Sequence, residues 1–358
     1  MPYNLGMKQI TLVLPFALPP PEMAPDLMRA LPAPALATLL SRSAAHQAAP
    51  FDSTTRHLPH EIWLANALGL CGPVSAPDAA PAFACAVMHG LDLEVPAGTW
   101  FIVNPVHIEI ARNHLLMSDQ RQVGLSEPDS RALFEAAKPY FDEIGKPLLY
   151  GDAENWFVRA DDWVRLRTAS PDAAIGQNLN AWMPEGSGEL ACRKLQNDVQ
   201  MLWHAHPVNA ARQTRGQATI NSFWLWGGAS TTAKPHARQL VAVLDAPSWM
   251  RALAETGRAE TTAAGVLAAA VADPRKHALV VSGSLIEAAL ASDWSAWLLL
   301  MQRLEQEWFA PLLAALKNGR VDQVKLVFNH RDACAETTTT AMSQRKFWRK
   351  PTLNRLLP

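Results

Sequence analysis

The 358-residue sequence lacks the signals that mark several large classes of protein. It has only 4 Cys, at 71, 85, 192 and 334, and no two are close enough in sequence to form a zinc knuckle or a CxxC redox pair. The first apolar run, 10–18, is short and is followed by prolines, so we expect neither a signal peptide nor a membrane span. With no export signal, we expect reduced thiols and a cytoplasmic protein.

An excess of charge of either sign is also missing. Lys and Arg number 32 and Asp and Glu number 33, which gives a net charge of −1. This balance excludes a globally basic nucleic-acid binder and gives no reason to expect an anionic membrane as partner. Apolar residues make up 49% and charged residues 18% of the chain, which is the composition of a globular protein.

Common catalytic frameworks are absent as well, because the sequence contains no GxGxxG, P-loop or GxSxG motif. Tyrosine is scarce at 3, whereas tryptophan is abundant at 13. Tryptophan carries a large apolar body and one N–H donor, so this abundance indicates either a thick core or a cleft lined with indole rings.

Short apolar runs in the second half of the chain are typical of buried strands, and helical patterns separate most of them. This alternation of strands and helices predicts a mostly parallel α/β sheet that is covered on both faces. The predicted strands are 8–14, 219–226, 239–244, 278–281 and 323–328. Helices are predicted over 126–145, over 189–215 with a break at Pro207, and over 293–316. A hairpin is predicted from 148–150 and 156–158.

The segment 204–228 has the highest density of candidate ligand-binding side chains. Asn209, Arg212 and Arg215 recur every three residues, so they share one face of a helix. A guanidinium bonds a phosphate or carboxylate through two parallel hydrogen bonds, and Gly227-Gly228 would lie where ligands bind at strand ends. The alternative is a surface helix with solvated arginines.

Further candidates follow the predicted strands and the end of the chain. Asp245, His330 and Asp332 come after strands and are candidate metal ligands or an acid–base pair. His204 and His206 would diverge on a helix, which disfavours a shared metal site. The basic residues of 345–355 are interpreted as a solvated tail, with the steering of an anionic partner as the alternative.

One block resembles a known family. His206-Pro207-Val208-Asn209, Arg212, Arg215-Gly216 and 221–227 (NSFWLWG) resemble the N-x-x-R…G…N-x-x-W-L-W-G block of archaeal-type cofactor-independent phosphoglycerate mutases. Together with the opening LVLPFALP and Phe347-Trp348-Arg349, the block resembles the RpfE-type regulatory proteins of proteobacteria. The resemblance implies an alkaline-phosphatase-like, doubly wound α/β fold with an inserted smaller region. We expect the main domain over 1–90 and 190–358, and the insertion, a possible cap, over 91–189.

The mutase family is known for two divalent metals at strand ends and a serine nucleophile. This chain departs from that pattern. Its first strand ends in Pro15-Phe16-Ala17 without a carboxylate, 282–287 (SGSLIE) lacks an Asp followed by Gly-His, and Asn329-His330 stands where Asp-His is expected. The nucleophile cannot be assigned among Ser53, Thr54 and Thr55.

The resemblance therefore implies a degenerate, non-catalytic mutase-like protein. We expect it to bind a phosphorylated small molecule or a protein partner in a regulatory role, without membrane or nucleic acid. The expected ligand-binding residues are Asn209, Arg212, Arg215, Asn221 and Trp226, and no cofactor is expected. One alternative is an active mutase or phosphatase using Mn²⁺ or Mg²⁺, with Asp245, His330 and Asp332 as ligands. The other is a protein-interaction module with a Trp-rich cleft.

Overall fold

The computed structural model describes residues 7–52, 54–71, 80–111, 114–231, 240–254, 262–272 and 277–357. The chain forms two compact units. The first unit combines Met1–Thr55 with Ala237–Pro358, and the second unit is Arg56–His236. The predicted insertion, 91–189, falls inside the second unit, and its role as a cap stays a prediction.

The strands are named in chain order. They are β1 (Gln9–Leu14), β2 (Ala45–Pro50), β3 (Thr99–Val106), β4 (Ile108–Ala111), β5 (His114–Met117), β6 (Leu148–Tyr150), β7 (Trp156–Arg159), β8 (Ser222–Ser230), β9 (Leu240–Leu244), β10 (His277–Ser282), β11 (Gln323–Asn329) and β12 (Ala333–Thr340).

The helices follow the same convention. They are α1 (Ala24–Ala30), α2 (Pro34–Ser41), α3 (Pro59–Leu68), α4 (Ala84–Gly90), α5 (Gln120–Val123), α6 (Glu127–Glu143), α7 (Pro171–Ala174), α8 (Glu189–His204), α9 (Pro207–Thr214), α10 (Ser248–Arg251), α11 (Ala263–Ala272), α12 (Ile286–Leu290), α13 (Trp294–Leu304) and α14 (Ala310–Lys317). A π-helical turn, Glu305–Phe309, joins α13 to α14, and 3₁₀ turns span Asp161–Trp163, Leu179–Ala181, Ser343–Arg345 and Asn354–Leu356. Among the described residues, no helix is long and apolar enough to cross a membrane.

The first unit is built on a six-stranded sheet in the order β2-β12-β11-β1-β10-β9. The four strands β11, β1, β10 and β9 run parallel to one another. β12 pairs antiparallel with β11, and β2 pairs antiparallel with β12. This mixed, mostly parallel sheet with helices confirms the predicted α/β class. Buried side chains such as Leu12, Val280 and Leu326 make β1, β10 and β11 nearly continuous apolar runs, as expected for strands covered on both faces.

The second unit contains a four-stranded sheet in the order β6-β7-β3-β8, and its pairs are antiparallel. The predicted hairpin is confirmed as β6 and β7. The prediction that 219–226 belongs to the parallel sheet is wrong, because β8 pairs antiparallel with β3. Gly227-Gly228 is not a strand exit either: both glycines lie within β8, beside a register shift opposite Trp100–Ile102, and Gly227 has φ +66°. A bulge of this kind favours glycine at positive φ.

Tryptophans fill both cores. The second unit buries Trp100, Trp156, Trp163, Trp203, Trp224 and Trp226, and the first unit buries Trp297 and Trp308. All thirteen tryptophans lie in described ranges, and Trp348 is the exposed one, with 68% of its surface accessible. Of the two interpretations of the tryptophan content, the thick core is therefore correct and the Trp-rich cleft is not.

Candidate functional site

Asn209, the first predicted ligand-binding residue, joins three backbone segments of the second unit. Its amide donates to the carbonyl oxygens of Trp203 (2.8 Å) and Ile220 (2.7 Å), and its Oδ1 accepts from the Ile220 N–H (2.8 Å). The side chain is buried. Asn209 therefore links the end of α8 and the start of α9 to the segment that leads into β8.

Arg212 is fully buried, although the sequence placed it on a ligand-binding face. Its guanidinium donates to the carbonyl oxygens of Ala218 (2.8 Å), Gly124 (3.3 Å) and Val123 (2.6 Å). Because its nitrogens are bonded to backbone oxygens, Arg212 stabilises the loop contacts of the second unit. The neighbouring Arg215 is half exposed and pairs with Asp129 at 3.0 Å.

Asn221 and Trp226 also bond to other parts of the second unit. The Asn221 amide accepts from the Ile108 N–H (2.8 Å) and donates to the Ile108 carbonyl (2.7 Å). The buried Trp226 indole donates to Oδ1 of Asn104. The block that carries the family resemblance thus contributes hydrogen bonds to the fold, and its part in ligand binding stays a prediction.

The carboxyl edge of the parallel sheet holds the residues that the resemblance marks as metal positions. Phe16 lies two residues beyond the end of β1 and has φ +59°, a strained value for a side chain of this size. Its N–H donates to Oδ1 of Asn329 (3.2 Å), and its carbonyl accepts from the Trp297 indole (2.9 Å). The Asn329 amide in turn donates to the carbonyl of His330 (3.1 Å). The oxygen and the nitrogen of the Asn329 side-chain amide are therefore both hydrogen-bonded to backbone groups.

The predicted metal ligands lie at this edge without forming a cluster. Asp245 is exposed with φ +49°, and burial lowers the pKa of His330, against the opposing charge of Asp332. Among the described residues, no group of three or more His, Cys, Asp or Glu side chains is arranged to hold a metal ion. Of the nucleophile candidates, Thr54 donates its hydroxyl to Asp52 (2.7 Å), and Ser53 lies outside the described residues.

A cavity of about 680 Å³ in the first unit has a mostly apolar lining from α11 and the π-helical turn. Its charged rim includes Asp245, Arg320 and the ion pair Arg303–Glu307, which is 2.8 Å long. This rim carries both signs of charge, so the cavity has no clear preference for an anion.

The second unit also contains a buried charged cluster that no motif or spacing in the sequence indicated. Arg121 donates to both carboxylate oxygens of Asp172 (3.1 and 2.7 Å), and its Nε lies 2.7 Å from Asp119. Beside this network lie His57 and His60 near the start of α3. Burial lowers the pKa of His57 to about 3 and that of His60 to about 4, so both imidazoles are neutral at physiological pH.

A group of cations without carboxylate partners among the described residues lies in the first unit, at the carboxyl end of α2. Here Arg42, Arg345, Lys346, Arg349, Lys350 and Arg355 form what we call the basic cluster. Lys346 donates to the carbonyl of Ser43 (3.2 Å), Arg349 to that of Ser41 (3.3 Å), and Arg355 to the Ser43 hydroxyl. The tail is therefore anchored to the first unit, and Leu356 is part of its core, while Arg345, Arg349 and Lys350 are exposed as the interpretation of a solvated tail implies.

None of the six cations forms an ion pair with a carboxylate among the described residues. No Asp or Glu occurs in 27–51 or in 337–358, and the described ion pairs of the first unit are Arg29–Asp26, Arg303–Glu307 and Lys325–Glu336. Burial is the main cause that lowers the pKa of Arg355, and the nearby positive charge of Arg349 adds to it. The helix dipole of α2 offers only about half a negative charge, too little to balance the cluster.

Arg42 adds a further sign of an incomplete site. Its guanidinium donates to the carbonyl of Gln344 (3.4 Å), but its buried Nε has no hydrogen-bond partner among the described residues. An unpaired buried donor costs free energy, and an anion at this position would satisfy it. The basic cluster is therefore the candidate functional site.

Comparisons with known proteins establish the fold and nothing finer. No protein-family model matches the chain, and no curated protein matches it significantly. The PH0037 protein from Pyrococcus horikoshii is similar in structure, with 11% identity and a TM-score of 0.55 over 98% of this chain and 92% of that chain. The cofactor-independent phosphoglycerate mutase from Thermoplasma acidophilum DSM 1728 matches with 13% identity and a TM-score of 0.49 over 98% and 94%. The Pyrococcus protein thus shares the fold of this chain.

Proposed function

We propose that this chain is a non-catalytic, phosphoglycerate-mutase-like protein of the RpfE type that binds a phosphorylated or otherwise anionic ligand in a regulatory role. The observation that carries the proposal is the basic cluster, which gathers six cations without a carboxylate partner among the described residues. The site differs from the one that the sequence favoured, since Arg212 is bonded to backbone oxygens.

The chemistry of the cluster fits phosphate. Arginine presents a planar fork of N–H donors that matches phosphate oxygens, and lysine adds a flexible positive charge. Arg349 and Arg355 are held in place by their bonds to Ser41 and Ser43, so less side-chain freedom is lost when an anion binds. Arg345 and Lys350 are exposed and without described partners, and they extend the positive surface.

The proposal that the chain is non-catalytic rests on two residues at the carboxyl edge of the parallel sheet. Phe16 and Asn329 occupy the positions at which the resemblance implies metal-binding carboxylates. Divalent cations such as Mg²⁺ and Mn²⁺ prefer anionic oxygen ligands, and the Asn329 oxygen is already bonded to the Phe16 N–H. The alternative of an active metal-dependent enzyme, with Asp245, His330 and Asp332, stays a prediction.

Thermal melts with inorganic tripolyphosphate test the binding half. We expect the ligand to raise the melting temperature at low salt, and the rise to shrink at high salt because screening weakens charge pairing. The triple variant Arg345→Gln, Arg349→Gln, Lys350→Gln should lose the rise. Arg29→Gln is the matched control, since Arg29 is exposed and ion-paired elsewhere in the first unit.

Equal stabilisation of the triple variant and the wild type would place the anion elsewhere and contradict the proposal, as would a complete lack of stabilisation. A separate assay tests the non-catalytic half: 3-phosphoglycerate and Mn²⁺ are incubated with the protein. Turnover that Asp245→Asn or His330→Gln abolishes would show an active enzyme.

A further inference from the structure

Large apolar side chains are exposed in the same segment as most of the basic cluster. Met342, Phe347 and Trp348 have 76, 79 and 68% of their surfaces accessible, and they fall within seven consecutive residues. Large apolar groups seldom gather on a free surface, because exposure to water is unfavourable. Their concentration here, with cations on both sides, indicates a surface that is covered in use.

The structure holds this segment in a defined conformation. Buried Ser343 accepts from the Thr340 N–H (3.0 Å), and the Phe347 N–H donates to the carbonyl of Arg345 (2.8 Å). The Lys346 ammonium is also bonded to the carbonyl of Ser43. Phe347 and Trp348 are therefore presented on an anchored turn, and little ordering is needed before they engage a partner.

We propose that residues 342–350 dock on an anionic lipid surface, so that the anionic groups bound by the basic cluster are lipid phosphates and carboxylates. Trp348, whose ring has a polar edge, would enter the interface between headgroups and acyl chains, and Phe347 and Met342 would add apolar area there. Arg345, Lys346, Arg349 and Lys350 would lie at the headgroups. This inference rests on the proposed anion binding and names the source of the anion.

The geometry of the aromatic pair favours lipid over single-stranded nucleic acid. The rings of Phe347 and Trp348 are 5.4 Å apart and nearly perpendicular, at 82°. Successive bases stack in parallel planes, so two perpendicular rings cannot both stack on neighbouring bases. Met342 offers apolar area without a ring face, which suits a lipid interface and adds nothing to base stacking.

A second copy of the chain fits less well for an electrostatic reason. A two-fold interface brings the same patch of both copies together. It would place the cations around Phe347 and Trp348 against their own counterparts, and like charges at short range repel. An anionic surface removes this repulsion and covers the same apolar side chains.

Vesicle co-sedimentation of the full chain tests the inference. We expect binding to vesicles of equal parts phosphatidylcholine and phosphatidylserine, and at least about ten-fold weaker binding to phosphatidylcholine alone. Phe347→Ser with Trp348→Ser, and separately Arg345→Gln with Lys350→Gln, should each weaken binding by about ten-fold or more. Leu299→Ser is the matched control for an exposed apolar residue, because Leu299 is 66% accessible in α13.

Insertion has its own readout. Lipids with brominated acyl chains should quench part of the tryptophan fluorescence, and Trp348→Phe should remove that quenching, because Trp348 is the exposed tryptophan. Quenching that persists in Trp348→Phe would contradict the inference.

The outcomes separate this inference from the proposed function. Tripolyphosphate binding without vesicle binding overturns the lipid inference and leaves the proposed function standing, whereas loss of both overturns both. Tighter binding of single-stranded DNA than of vesicles, dependent on Phe347 and Trp348, assigns the patch to nucleic acid and overturns the inference. A dimer that Phe347→Ser with Trp348→Ser abolishes, seen together with absent vesicle binding, assigns it to self-association and also overturns it.

Discussion

Acid should destabilise the second unit because His57 and His60 are buried in their neutral forms. Burial is the main cause of their low pKa values, about 3 and about 4, compared with 6.5 for an ordinary imidazole. The positive charges of Arg56 and Arg121 add to the effect at His57 and His60 respectively, while Asp172 opposes it at His60. Between these pKa values and 6.5, the unfolded chain binds more protons than the folded chain. The stabilisation is therefore full above pH 6.5 and is lost as the pH falls below it.

The size of the effect follows from proton linkage. At about pH 5 an unfolded imidazole is almost fully protonated, whereas each buried one is still neutral. The folded state then loses about 2 kcal/mol per histidine relative to about pH 8, or about 4 kcal/mol for the pair. This is a large part of the roughly 5–15 kcal/mol that a typical domain has available.

Urea unfolding followed by tryptophan fluorescence measures this loss. Eight tryptophans lie in Arg56–His236, so the signal reports mainly on the second unit; they are Trp63, Trp100, Trp156, Trp163, Trp182, Trp203, Trp224 and Trp226. The double variant His57→Gln, His60→Gln should show a fall in unfolding free energy from about pH 8 to about pH 5 that is smaller by about 4 kcal/mol than in the wild type.

His204→Gln is the matched control, because His204 is exposed on α8. Asp119 acts in the opposite direction: burial raises its pKa, so its protonation favours the folded state in acid, but it does so in the wild type and in the double variant alike. A double variant that keeps the full pH dependence would refute the reasoning, and so would a His204→Gln variant with the same loss of pH dependence.

Three further predictions concern buried groups. Arg212→Met should lower the unfolding free energy in urea by about 3–5 kcal/mol, because the fully buried Arg212 side chain would no longer donate to the backbone carbonyls of 123, 124 and 218; a loss below about 1 kcal/mol would contradict the structural role. Glu305 accepts from two N–H groups at the start of α2, so Glu305→Gln should cost about 1 kcal/mol by the same measurement, and no change would show that the carboxylate is not needed. Burial raises the pKa of Cys192 to about 12 and that of Cys85 to about 11, so Cys71, which is less buried, should react first with a chromogenic disulfide. Labelling of Cys192 before Cys71 in the folded protein would contradict this order.

The sequence predicted the parallel strands because such strands are buried on both faces. β1, β9, β10 and β11 are apolar runs. No predicted bound of these four strands differs from the observed bound by more than one residue. β12, with the sequence ACAETTTT, was missed because it contains no large apolar side chain and therefore gives no apolar strand pattern. A short apolar run also does not reveal its partner, which is why β8 was assigned to the wrong sheet.

Residue spacing has a similar limit at the predicted ligand-binding block. The spacing correctly placed Asn209 and Arg212 in one helix, with Arg215 at its C-cap, but it could not say whether that side faces solvent or protein. Arg212 faces backbone carbonyls that come from 123–124 and from 218, and no pattern within α9 encodes their approach. The cluster of His57, His60, Arg121 and Asp172 was missed for the same reason, since its members come from three separate helices or their starts.

A net charge close to zero does not exclude an anionic partner. The value of −1 sums charges across the whole chain, but a charge acts on its surroundings over about 8 Å at physiological ionic strength. The stretch 337–358 contains five Lys or Arg residues and no Asp or Glu, and this asymmetry is visible in the sequence. What only the fold shows is that Arg42 joins this stretch at the end of α2, through its bond to Gln344. A chain with almost no net charge can therefore bind an anionic partner wherever folding concentrates charges of one sign. In this chain that place is the segment 337–358, which contains no Asp or Glu.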